Sequence, residues 1–414
     1  MDNSIWDNKI TTAHPSDQRM FYLVFSIWYL MENITITNFK SLFGIPVSTL
    51  DKYVSYLVLG LLIIYILFYN QYKKSEIILI SLVSAIIVLT TINSQSNHMI
   101  ALWIFLVSSK NIDFRKVISI AYYVTMWVLI ITVMASIVGM IPDYTMHRGS
   151  FVRHSLGYGH VNVLGMKVFQ AEIYYLLLNF RKRNKILFIY MMIVFAALFV
   201  YYIPNSKTPV VLSVLLCVLF SIYLILHNNY YQKTVFMVGM IFGSCMANVL
   251  SLFFCIGDFS GVGYYKVLNR LLSSRFSLSH KAYLDFGTSW FGQTVYISFI
   301  ERKNAGLSGY YFLDNTYMII LIRYGIVFYL IFSIAYIASM IIGLKTEKYM
   351  MVLVLFIYSI YGLMEPSMYR FSYNITLLYL GGVIFGKVHI SDENVLLKRK
   401  VVFTSGKYRK LQQV

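Results

Sequence analysis

Charge is scarce in this sequence. Asp, Glu, Lys and Arg make up 13% of its 414 residues, against about 25% in an ordinary soluble domain. With 58% of residues hydrophobic and a mean hydropathy of +0.66, a single water-soluble core cannot hide the apolar surface, which excludes a soluble fold. Acidic residues are scarcest, 17 against 35 Lys and Arg, for a formal net charge of +18. The basic residues sit mostly in short links between apolar runs, as the positive-inside rule arranges them. No nucleic-acid-binding motif accompanies them, so no nucleic-acid partner is expected. The three cysteines, Cys217, Cys245 and Cys255, lie in apolar stretches without metal-ligand spacing, which argues against a disulfide framework. There is no Walker phosphate loop, HExxH or CxxC motif, and no Asp-x-Asp pair for a metal-held nucleotide sugar. Chemistry without a nucleotide, a metal or another cofactor is expected. The opening Met1 to Asp17 is polar and acidic. It lacks the basic region and cleavage site of a signal peptide and is expected to stay on the protein.

What the sequence does have is long apolar runs. A spanning helix needs roughly 20 mainly apolar residues. The runs give about twelve transmembrane helices, at 20–36, 52–69, 76–93, 98–109, 117–141, 161–179, 186–203, 209–227, 234–256, 313–343, 349–364 and 373–387. The fourth is short enough to be re-entrant, and the tenth is long enough to tilt or to break near Gly325. The expected fold class is all-α: a polytopic integral membrane protein, one membrane domain over 1–414. No internal repeat is visible. Lys73-Lys74, Lys110/Arg115/Lys116, Arg181 to Lys185, Lys233, Lys345/Lys348 and the basic tail at 388–414 alternate to share one face. That face, with both termini, is placed in the cytoplasm. The opposite face carries the link 142–160, the turn Asn205-Ser206-Lys207-Thr208 and a long extracytoplasmic loop at 257–312. Its many basic residues are either tolerated there or attract an anionic substrate.

Several polar segments interrupt the apolar pattern, each with a bland and a chemical reading. Arg153 to Gly165 begins at a span. Its glycines allow close backbone approach, Arg153 offers a fork for phosphate oxygens, His160 titrates near neutrality, and Asn162 suits hydroxyl recognition; otherwise it is an interfacial turn anchored at headgroups. Asn269 to Arg275 reads as an amphipathic turn of helix, with Arg270 and Arg275 five apart and so off one face; it contacts either substrate or solvent. His280 follows as a lesser base candidate. Asp314, before Asn315-Thr316-Tyr317, is either a helix cap or a chemical group. Arg323 lies about two turns beyond Asn315 and, as a deep charge, is expected to face the bundle interior. Lys167 and Glu172 either pair or line a polar cleft. Glu365 and Arg370 flank a short turn and form either a local ion pair or part of a site. Gly239/Gly243 and Gly382/Gly386 match small-residue helix packing.

The Arg153–Gly165 segment, the Asn205-Ser206-Lys207-Thr208 turn, the Arg-bearing loop, the Asp314-Asn315-Thr316-Tyr317 entry before Gly325 and the late Glu365 together resemble, in their order, bacterial polysaccharide polymerases of the O-antigen polymerase and O-antigen ligase superfamily (Wzy-like). The turn departs from the family's Ser-Arg-Thr pattern at Lys207, which keeps the charge but loses the bidentate fork. The resemblance implies a GT-C-like membrane glycosyltransferase with sugars on undecaprenyl diphosphate as donor and acceptor. It implies a bacterial cytoplasmic-membrane setting, transfer with inversion on the outer side, and a flippase and a chain-length regulator as partners. On this footing Arg153 and Arg275, with Arg270 and Lys207 in reserve, bind the substrate diphosphate. His160, Asp314 and Glu365 compete as general base. Asn162, Tyr158, Asn315 and Tyr317, with Tyr310, are sugar contacts; the aromatics are equally suited to interfacial anchoring. Two alternatives remain open: a ligase of the same superfamily, and a flippase or transporter of lipid-linked sugar, for which Lys167, Glu172 and Arg323 are the main mid-membrane charges.

Overall fold

A computed structural model describes residues 15–297, 299–307 and 312–385; Tyr310, Gly386, the tail 388–414 and both chain ends lie outside them. The chain folds as helices α1 (Pro15–Thr35), α2 (Val47–Phe68), α3 (Lys74–Ser94), α4 (His98–Ser108), α5 (Phe114–Ile137), α6 (Val161–Asn179), α7 (Ile186–Tyr202), α8 (Lys207–Ile225), α9 (Tyr230–Ile256), α10 (Gly263–Leu271), α11 (Arg275–Phe286), α12 (Phe299–Asn304), α13 (Thr316–Ile319), α14 (Gly325–Lys345), α15 (Tyr349–Met364) and α16 (Gly381–Phe385). Among the described residues, strands form two small antiparallel hairpins, Ser41–Leu42 with Ile45–Pro46, and β3 (Thr145–Arg148) with β4 (Phe151–His154), besides one isolated bridge between Thr37 and Tyr158.

Among the described residues, seven stretches are long and apolar enough to cross a membrane: α2, α3, α5, Arg183–Tyr202, α8, α9 and Thr316–Lys345. This corrects the expectation of about twelve spans. α4 and α15 are shorter apolar helices. α1 and α6 are long but carry Arg19 and Glu32, and Lys167 and Glu172. The expected 373–387 span is a 3-10 turn, Ile375–Leu380, followed by the short α16. The 313–343 span starts at Thr316, passes through a π-helical turn at Ile320–Tyr324 and breaks at Gly325, whose φ is +87°. Large apolar side chains stand exposed around the bundle, among them Leu67, Ile92, Trp127 and Phe195. A soluble monomer rarely exposes so much contiguous apolar surface; on a membrane protein these side chains face lipid.

α15 is the central helix. It packs against α6, α8, α9, α13 and α14, and most of its residues are buried. Its 16 residues span roughly 24 Å at 1.5 Å per residue, short of a hydrocarbon layer of about 30 Å. A helix enclosed by others need not reach the headgroups, and Glu365, the residue after its last, lies buried inside the bundle. Gly243 packs as expected: a Cβ there would lie 2.8 Å from Phe356 of α15. Gly239 faces open space and is no contact point.

The 257–312 loop is largely helical in its described part. α11 lies on the C-terminal end of α9: Phe276 stacks on Phe254 at 5.3 Å between centroids, and His280 Nδ1 lies 3.0 Å from the Cys255 carbonyl. The expected helical turn over Asn269–Arg275 holds only in part: Asn269 to Leu271 close α10, Leu272 to Ser274 break the helix, and Arg275 opens α11. Ser273 and Ser274 adopt φ of +55° and +64°, left-handed geometry that ends a helix. The Asn269 side chain fastens the break by accepting from Ser277 N at 3.2 Å. Arg270 therefore ends α10, exposed, while Arg275 begins α11.

Candidate functional site

One end of the bundle gathers the N-termini of α6, α8 and α13 and the C-termini of α9 and α15. α11 swings Arg275 over that end, where Arg275 Nη2 donates to Glu365 Oε1 at 3.0 Å and lies 3.8 Å from Asp314 Oδ2. Glu365 is thus paired with Arg275, not with Arg370 as its sequence neighbourhood suggested. Asp314 is not the helix cap; Asn315 is, accepting from Met318 N at 3.2 Å. Thr316 fixes the turn after α15: its hydroxyl donates to the Glu365 carbonyl at 2.7 Å and accepts from Met368 N at 3.2 Å. Arg275 Nε and Asp314 Oδ1 are buried without a hydrogen-bond partner. Such groups are few in folded proteins, and each calls for an explanation.

Burial raises both carboxyls. Glu365 is pushed up to about 7, chiefly by desolvation, with Arg275 opposing and the Asp314 charge adding to the rise. Asp314 is pushed up to about 6 by the same desolvation, against Arg275. Two carboxyls flanking one guanidinium thus have a proton within reach near neutral pH, the condition for general acid–base work.

A second group of predicted residues lies alongside. Arg153 is 5% exposed; its Nε donates to the Pro204 carbonyl and its Nη2 to Asn162 Oδ1, both at 2.8 Å. The Ser206 hydroxyl donates to the same Asn162 oxygen at 3.2 Å. Gly165 allows this approach of α6 to α8, since a Cβ there would lie 2.9 Å from that of Ser206. His160 caps α6, its Nδ1 accepting from Asn162 N at 3.1 Å; burial, then the nearby Arg153, lowers its pKa. Burial lowers Arg153 to about 10, with Arg148 assisting, so it stays charged near neutral pH. The turn Asn205–Thr208 joins the two groups, because Thr208 hydrogen-bonds the Glu365 side chain.

Three expected sugar contacts are packing residues in this conformation. Tyr158 is 1% exposed. Tyr317 is buried with its hydroxyl on the Ser359 carbonyl at 2.8 Å, and Asn315 is fully buried, accepting from Ser251 at 3.0 Å. Asn162 stays half-buried. Lys207 is exposed and lines a different recess with Arg148. Lys167 and Glu172 do not pair: Lys167 donates to the Ser372 carbonyl at 3.3 Å and Glu172 accepts from Ser213 at 3.0 Å. Arg323 faces inward as expected, held by Glu301 at 2.7 Å and the Val295 carbonyl at 2.9 Å.

Sequence reasoning missed a polar group on the other side of the 365–374 turn. The Glu32 side chain hydrogen-bonds Ser372, near Lys167, and Arg370 Nε is buried without a partner. A carboxylate inside the apolar run 20–36 was the available signal, since such residues are costly there and seldom idle. No family profile, curated protein or solved structure matches this chain.

Proposed function

We propose that this chain is a membrane glycosyltransferase that polymerises undecaprenyl-diphosphate-linked oligosaccharide repeat units, with Arg275, Glu365 and Asp314 at its reaction centre. The observation that carries the reading is the meeting of one arginine and two carboxyls of raised pKa at one end of the bundle, with Arg275 Nε and Asp314 Oδ1 unpartnered. A diphosphate reaching this cluster competes with the carboxylates for Arg275, because the guanidinium fork binds phosphate oxygens bidentately. Losing its counter-ion makes Glu365 more basic. Glu365 then takes the proton of the acceptor hydroxyl as that oxygen attacks the anomeric carbon. The bond from that carbon to the diphosphate oxygen breaks, and the lipid diphosphate leaves with the electron pair. A single displacement inverts the anomeric centre. A fixed cation at such a leaving group is worth on the order of 3 kcal/mol, and a positioned base about 10²–10⁴-fold in rate. α11 over this cluster limits attack by water, which would waste the donor. The lysine and arginine bias of the links supports placing this end on the outer side of a bacterial cytoplasmic membrane.

The test is turnover of lipid-linked repeat units by purified protein in detergent, read as chain length on a gel. Arg275→Ala is expected to lower polymer yield by about 100-fold while the protein still folds, since both carboxyls can take up protons once the cation is gone. Unchanged long chains in that variant would remove Arg275 from the chemistry. Transfer of finished chains to a different acceptor, without elongation, would make the protein a ligase. Turnover without a membrane gradient excludes a pure transporter.

A further inference from the structure

With 3.6 residues to a turn, α10 presents three unlike sides. The first faces the protein: Tyr265 is buried, its ring centroid 5.9 Å from those of both Phe254 and Phe259. The second is apolar and uncovered. Tyr264, Val267, Leu268 and Leu271 are 61%, 59%, 37% and 76% exposed, and their spacing puts them on one helical stripe. The third is basic, with Lys266 and Arg270 one turn apart and both exposed. Among the described residues neither makes an ion pair. The three sides stand about 120° apart around the helix.

α9 sets the height of this helix. Its 27 residues span roughly 40 Å, more than a hydrocarbon layer of about 30 Å, and so reach the headgroups. The link to α10 folds back on the end of α9, with the Phe259 and Phe253 ring centroids 4.7 Å apart. An exposed apolar file on α9, Val249, Phe253 and Ile256, runs up to the same end. The lipid-facing surface of the bundle thus leads to α10.

We propose that α10 is an interfacial helix, with the Tyr264–Leu271 stripe set into the outer part of the bilayer and Lys266 and Arg270 on anionic lipid headgroups. A short helix with an aromatic and aliphatic face and a basic face binds such a surface by burying the first and pairing the second. Its three sides match the rim of a membrane bundle: protein beside it, acyl chains below and phosphates above. A protein partner on the stripe would leave the two cations unmatched, whereas a lipid surface meets both sides at once. Arg270 then serves the bilayer, not a substrate diphosphate. The seat carries to Arg275, because the joint between α10 and α11 is fastened: Ser274 N donates to the Asn269 carbonyl at 2.7 Å and Ser277 N to the Asn269 side chain at 3.2 Å. Seating α10 therefore holds Arg275 against Glu365 and Asp314. The lipid contact itself does not depend on the chemistry proposed above.

Site-directed fluorescence of the full chain in vesicles tests this. With the three native cysteines replaced, a nitrobenzoxadiazole label is placed on Val267→Cys or on Lys266→Cys, both exposed positions. In vesicles of phosphatidylcholine and phosphatidylglycerol, doxyl-labelled acyl chains are expected to quench the Val267→Cys label, and water-borne acrylamide the Lys266→Cys label. Adding Lys266→Gln and Arg270→Gln to the Val267→Cys chain, or omitting phosphatidylglycerol, should weaken docking by about fivefold per cation and cut the doxyl quenching. Equal acrylamide quenching at both positions puts the stripe in water and overturns the interfacial helix. A Val267→Cys label shielded from both quenchers means that a second copy or another protein covers the stripe, and overturns the lipid as partner. Doxyl quenching indifferent to phosphatidylglycerol and to the glutamine substitutions overturns the headgroup contact.

Discussion

Arg153 and Arg275 entered on equal terms as diphosphate ligands, and their surroundings separate them. The Arg153 guanidinium is spent on the Pro204 carbonyl and Asn162, tying the hairpin to α6 and the α7–α8 turn; hydrogen bonds from a charged donor are worth roughly 1.5–3 kcal/mol each. Arg275 instead faces two carboxyls that can release it by taking up a proton. The pH dependence follows from their values of about 7 and about 6. A raised acid is protonated below its folded pKa, so the basic form of the pair is scarce below pH 6 and grows through pH 7. The specificity constant kcat/KM, which reports the free protein, is expected to rise with pH across that window. Glu365→Gln should lower the rate by about 10²–10⁴-fold and abolish the inflection. A pH–rate profile of that variant with the same acid limb would move the base elsewhere, His160 being next in line. His160 is the weaker candidate, because its Nδ1 already serves the start of α6.

At the scale of elements, the 287–293 segment is anchored by two glycines. Gly325 ends the π-turn at φ +87° and Gly292 faces it at φ +89°. Backbone hydrogen bonds clamp the pair: Gln293 N to Arg323 O at 3.0 Å, Ile326 N to Ser289 O at 2.9 Å and Val327 N to Trp290 O at 3.1 Å. A Cβ on Gly325 would collide with the Gly292 nitrogen and lie 2.7 Å from the Trp290 carbonyl oxygen. Gly325→Ala is therefore expected to cost on the order of 1–3 kcal/mol in backbone strain and to loosen the 287–293 segment. Faster proteolysis between residues 287 and 307, with a lowered thermal midpoint, checks it; wild-type protease resistance would count against the clamp. The break at Gly325 was legible as a glycine inside an overlong apolar run. Its partner Gly292 was not, because the two are far apart in sequence.

At the scale of the whole molecule, Arg153, His160, Asn162, Arg275, Asp314 and Glu365 gather at one end of the bundle, while Lys110 pairs with Glu76 at the other. On the proposed reading, the positive-inside rule assigns the first end to the extracytoplasmic side. With the three native cysteines replaced, His147→Cys is expected to react with an impermeant maleimide on intact cells, and Asn184→Cys only after permeabilisation. The reverse pattern would invert the orientation and move the proposed chemistry to the cytoplasm.

The sequence by itself determined an all-α chain suited to a membrane, because apolar bulk on this scale has no soluble solution and runs of about 20 apolar residues fit helices that satisfy their own backbone. It also marked which short segments break the apolar rule, so Arg275, Asp314 and Glu365 were all visible. Their partnership was not: Arg275 and Glu365 stand 90 residues apart, and local spacing favoured Arg370 for Glu365 and a cap for Asp314. Nor did run length give the number of spans, since an enclosed helix such as α15 can be short and a charged one such as α6 can be buried. Only packing decides which ends of which helices meet, and so which charges face each other and which, like Arg148 and Lys207, face outward.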